Sequence, residues 1–211
     1  SRSAIEKITA DQASKMTSAQ IKVLSSAQLD GLSADATAAL NTRAIAGFTK
    51  SNIAGLTLSE LTGDGQIAAL ASTQYAYLTT AQINAIDADS AASLSASTIS
   101  ALTSVQVTAI NTLSLQAITP DSITGLTPKN LLGLSTTQIA ALTETQAAAL
   151  TSTQAKAMTT AQIASLESAD ILALQPTTLA AISPTAFSKL DPIAFSAMSP
   201  EQITKITTSQ I

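Results

Sequence analysis

The chain has 211 residues, of which 45% are apolar, 2% aromatic and 11% charged, with a formal net charge of −4. It contains no Cys, His or Trp, which excludes a disulfide framework, thiolate or imidazole metal ligands, a cysteine nucleophile and the commonest general base. Its basic residues stand singly, without the clusters that neutralise nucleic-acid phosphates, and no apolar run approaches the ~18 residues of a membrane-spanning helix.

The opening stretch SRSAIEKI lacks the apolar core of a secretory leader and is already in repeat register, so its first three residues read as the cut edge of a longer array. Residues 1–56 form seven octads whose eighth positions are Ile8, Met16, Leu24, Leu32, Leu40, Phe48 and Leu56. Residues 57–62 are a truncated repeat: Thr57, Glu60 and Leu61 fill positions one, four and five, and positions seven and eight are missing. Eighteen more octads run from residue 63 to residue 206, and residues 207–211 are a partial one. The least perturbed copies, at 135–166, read STTQIAAL, TETQAAAL, TSTQAKAM and TTAQIASL. The whole chain is expected to be a single repeat domain.

All twenty-five full octads carry Leu, Ile, Met or Phe at position eight, and Thr37 is the only polar residue at position five. A spacing of three between apolar positions is that of one helical face, not of an alternating strand. Position one is Ser, Thr, Asn or Asp in twenty-one octads and position four is Gln in twelve. That is the capping-box spacing, in which the hydroxyl accepts from the amide three residues on and the Gln reaches back to the cap's own amide. All six prolines fall at position two, the first helical position, where no donor is needed. Each octad is therefore predicted to start a helix of at most about two turns. Five of the seven glycines sit at position seven, where the missing Cβ permits a turn or close approach.

Helices this short bury too little to stand alone, so the expected fold is all-α: a solenoid of capped two-turn helices, one per octad, each stabilised by its neighbours. Odd and even octads do not differ, which points to one screw operation throughout. The two-residue deletion in TLSELTGDG, residues 57–65, predicts a local kink or bulge.

The sequence offers little for catalysis. Its hydroxyls are engaged as caps, and Lys7, Lys15, Lys22, Lys156, Lys189 and Lys205 are isolated in the pattern. Asp87 and Asp89 read as a cap and a favourable first-turn charge. Asp64 between two glycines supplies too few oxygens for calcium. Neither a catalytic residue nor a metal or cofactor site is assigned. Tyr75 and Tyr77, beside the deletion and with Asp64 nearby, form the one candidate interaction patch. Both tyrosines, like Phe187 and Phe195 near the C-terminal end, also fit the repeat as core fillers.

The octads at 158–166 (MTTAQIASL) and 78–86 (LTTAQINAI) resemble the long Thr/Gln/Leu arrays of giant bacterial surface and secreted proteins, the adhesins and the RTX-type and haem-utilisation proteins. The resemblance spans essentially the whole chain and carries over no catalytic residue. It implies an extracellular or cell-surface stalk, spacer or scaffold whose partners are the neighbouring modules of the same large protein. The alternatives are a protein- or glycan-binding solenoid and a self-assembling filament subunit joined end to end. No enzymatic activity, nucleic-acid binding or membrane insertion is expected.

Overall fold

A computed structural model describes residues 2–61 and 65–211. Among these residues the chain folds into twenty-three α-helices and two 3-10 helices, without a strand. The helices are four to six residues long and begin at position two, as in Thr136–Ala140, Glu144–Ala149 and Ser152–Ala157. They are shorter than the predicted two turns because position eight leaves the helix. Leu150, for example, has φ −58° and ψ 132°. The next cap residue, Thr151, is extended as well, with ψ 158°. Two extended residues thus form each corner, and the prolines at 120, 128, 176, 184, 192 and 200 each open the helix that follows.

The units do not stack in sequential pairs. Each helix packs mainly on the third helix along: Arg2–Ile5 on Ser26–Leu29, Glu144–Ala149 on Ser168–Ala173, and Pro176–Ala180 on Pro200–Lys205. Side-chain hydrogen bonds, described below, reach the fourth. One coil therefore takes between three and four octads, so the array repeats the i+3 and i+4 neighbour logic of an α-helix one level up. Positions five and eight form one continuous aliphatic core along the axis, including Ile139, Leu142, Ile163 and Leu166.

At Gly47, Gly55, Gly125 and Gly133, position seven meets position two of the third unit back. A Cβ on Gly125 would lie 2.1 Å from the Ala96 carbonyl oxygen, and one on Gly133 would lie 2.1 Å from that of Ser104. These glycines serve close approach, not a turn, since Gly65 is the one residue with positive φ (73°) among those described.

Around the deletion the helices tighten to 3-10 geometry at Ile53–Gly55 and Leu58–Glu60, and residues 65–69 form turns. The expected irregularity is thus local, while Thr62, Gly63 and Asp64 lie outside the described residues. Hydrogen bonds between units continue across it. Gln74 Nε2 donates to the carbonyls of Ile45 and Phe48, 29 and 26 residues earlier, whereas Gln154 reaches back 31 and 28 residues. The offset shrinks by the two missing residues, so the short unit still fills one place in the coil.

Candidate functional site

The recurring chemical feature of this molecule is its buried fourth position. Every buried polar residue among those described occupies position four of its unit, with Thr37 the exception. Gln154 shows the arrangement. Its Oε1 accepts from the Thr151 N–H at 2.8 Å while its own N–H donates to Thr151 Oγ1 at 3.2 Å, completing the capping box. Its Nε2 then donates to the Ile123 and Leu126 carbonyls at 2.8 and 2.9 Å. Short helices leave orphan donors at one end and orphan acceptors at the other. One glutamine answers both, the donors of its own unit and the acceptors of the unit four places earlier.

The same bonds recur at Gln82, Gln106, Gln138, Gln146, Gln162, Gln202 and Gln210. Asn52 and Asn130 make them with a shorter side chain, although Asn130 Oδ1 is left buried without a partner. Ser114, Ser122 and Thr178 reach only the position-eight carbonyl, at 2.6, 2.6 and 2.9 Å. Where position four is Ala44, Asn41 at position one substitutes, donating to the Ser14 and Met16 carbonyls.

Asp170 breaks the rule. It is 2% exposed, and its Oδ2 accepts from the Glu167 N–H at 3.2 Å. An ionised carboxylate, however, has no donor for the unit behind it. Burial pushes its pKa above the usual carboxylate range, and the negative charges of Glu167 and Glu144 add to that, against the Glu167 hydrogen bond.

The predicted patch separates into parts. Tyr75 is 1% exposed, and its hydroxyl donates to the Ile67 carbonyl at 2.6 Å. Burial pushes its phenol pKa upward, while Thr98, at position four of the unit four places after that of Ile67, pairs its Oγ1 with Ser95 Oγ. Tyr77 is 41% exposed, with Lys50 Nζ 5.9 Å from its ring centroid. Asp64 lies outside the described residues. Phe187 is buried and Phe195 half-exposed, and their rings meet edge to face at 6.2 Å.

Asp87 caps its helix by accepting from the Ser90 N–H at 2.8 Å, and all six isolated lysines are exposed. Among the described residues no group of three or more acidic side chains is placed to hold a metal ion, and no helix is long and apolar enough to cross a membrane. A surface groove lined by Ser14, Lys15, Met16, Asn41, Thr42 and Arg43 contains hydroxyl, amide and cationic groups but no carboxylate. Set against known proteins, the chain matches no family model and no curated protein.

Proposed function

We propose that this chain is a non-catalytic structural segment, a stalk, spacer or scaffold, of a large bacterial surface or secreted protein. The observation that carries this reading is the position-four tie. Most of the buried polar side chains are spent on joining one unit to the unit four places back, so an added octad of this kind adds length and no new chemistry. On this reading the partners are adjoining modules at the cell surface, and the octad count sets the distance between them. A test is to insert one or two further copies of residues 135–166 after residue 166. The maximum dimension in small-angle X-ray scattering should rise by the same increment for each block at constant cross-section. Collapse, or a length that does not scale, would sink the spacer reading.

A second reading, a protein- or glycan-binding solenoid, draws on Val105 and Leu113, 65% and 71% exposed at position three of consecutive units. Saturable binding on a glycan or protein array, lost in Val105→Ser/Leu113→Ser, would favour it over the spacer.

A further inference from the structure

Position four of the unit 167–174 is Asp170, the only buried acidic side chain among the described residues. Its isostere asparagine shows what a side chain of this length reaches from that position. Asn52 Oδ1 accepts from the Thr49 N–H at 2.7 Å, and its Nδ2 donates to the Ile21 and Leu24 carbonyls at 3.0 and 3.1 Å. Asn130 Nδ2 lies 3.0 and 3.4 Å from the Ile99 and Leu102 carbonyls. In Asp170 it is Oδ2 that takes the N–H of the cap residue, Glu167. Its Oδ1 is therefore the counterpart of Nδ2, and the carbonyls in register are those of Ile139 and Leu142. No side chain among the described residues donates to either of them. Ionised, Oδ1 sets lone pairs against carbonyl oxygens, whereas protonated it carries one O–H. Side chains with a single hydroxyl at position four show where that O–H goes. Ser114, Ser122 and Thr178 all donate to the position-eight carbonyl, which for Asp170 is that of Leu142.

We infer that Asp170 is a proton-operated tie: its neutral acid donates to the Leu142 carbonyl and holds 167–174 to the unit four places back, and loss of the proton to solvent opens that joint. The surroundings disfavour the ionised form. Glu167 is in the same unit, Glu144 begins the helix packed three units back, and Asp191 caps the helix packed three units ahead. The helix Pro200–Lys205, joined to Ile171 and Leu174 through Gln202, adds Glu201 and one cation, the exposed Lys205. The unit 135–142 and the two units adjoining 167–174 in sequence hold no charged residue. Among the described residues Asp170 makes no ion pair. Burial raises its pKa, the Glu167 N–H opposes that rise, and the charges of Glu167 and Glu144 add to it. The tie is thus closed below the usual carboxylate pKa and opens as pH rises through the higher folded one. Solenoid units are stabilised by their near neighbours, so the opening is felt at this joint and not along the whole rod. The inference is independent of the spacer reading.

The test uses the 211-residue polypeptide with carbon-13 in its carbonyl and carboxyl groups, followed by NMR from about pH 3 to 8, a range that spans ordinary and raised carboxylates. The Leu142 carbonyl resonance should titrate with the midpoint of the Asp170 carboxyl, while that of Leu126, held by Gln154, stays still. Amide exchange gives a second readout, compared between proteins at each pH so that the intrinsic rate cancels. Asp170→Asn keeps the joint closed at every pH. Asp170→Ala keeps it open, and Ala186 and Ala194, both buried, show that alanine fits position four. In 135–142 and 167–174 the wild-type chain should exchange like the asparagine variant in acid. At neutral pH it should exchange about tenfold faster, like the alanine variant, with residues 95–118 unchanged. A Leu142 resonance indifferent to the Asp170 titration, two variants that exchange alike, a wild-type chain that follows one variant at every pH, or a change spread evenly over all units would each overturn the inference.

Discussion

At the scale of single residues, the distinction that matters is between an amide and a carboxylate at position four. Gln154→Glu preserves the capping box but removes two donors and places a charge among buried carbonyls. We expect it to cost about 2–5 kcal/mol in chemical denaturation, as for a buried group stripped of its partners. Thr151→Ala, which loses only the cap, should cost about 1 kcal/mol. Equal costs would mean that the glutamine acts only as a cap. Asp170 carries out the reverse experiment in nature. Its pKa is raised in the fold, so the folded state holds its proton more tightly than the unfolded chain. The stability this brings is fully present below the unfolded carboxylate pKa and is lost as pH rises through the higher folded value. Asp170→Asn should therefore raise the melting temperature at neutral pH and remove that acid-range dependence, as read from thermal melts across pH 3 to 7 for both proteins. The capping half of this chemistry is legible in the sequence because its partners are three residues apart. The tying half is not, since its acceptors are backbone carbonyls 26 to 31 residues away, and any residue type supplies a carbonyl.

At the scale of the element, a unit is a short helix between two extended corner residues, and its spacing from the third unit back is set by what position seven carries. Gly133→Ala would force a Cβ to 2.1 Å from the Ser104 carbonyl oxygen. The backbones must then separate, straining the Thr108 Oγ1 bond to the Gly133 carbonyl at 2.5 Å. We expect a loss of roughly 1–3 kcal/mol, of the order of overpacking a filled core, measured by denaturant melts. A neutral result would show that the coil yields freely at that point. Helix starts were readable from proline, cap and glutamine spacing, and so was the core, since positions five and eight are the ones buried. The identity of the packing neighbour was not, because octads that are alike give no preference among the units one, two or three places away. Tyr75 shows the same limit. Its place at position five predicts burial, but not the bond its hydroxyl donates to the Ile67 carbonyl eight residues earlier, since any residue type supplies that acceptor.

For the whole molecule, the rule that counts is placement by unit rather than by residue. The short repeat at 57–62 is the natural evidence: the ties spanning it shift from 31 and 28 residues to 29 and 26, yet still join a unit to the fourth one before it. A solenoid built this way should tolerate removal of a complete unit far better than removal of half of one. Deleting residues 151–158 places Gln162 four units after Ile123 and Leu126, the carbonyls that Gln154 now ties, so every later tie finds an equivalent acceptor. Deleting only residues 155–158 joins the cap and glutamine of one octad directly to the next cap. The core anchors Ala155 and Met158 are lost, and a helix is left without its last turn. Near-neighbour stability predicts that the eight-residue deletion lowers the melting temperature by a few degrees while one cooperative transition is retained. The four-residue deletion should split the melt, or sharply raise hydrogen exchange in the units four places to either side. If both deletions behaved alike, the four-unit tie would be a by-product of the coil rather than what sets it.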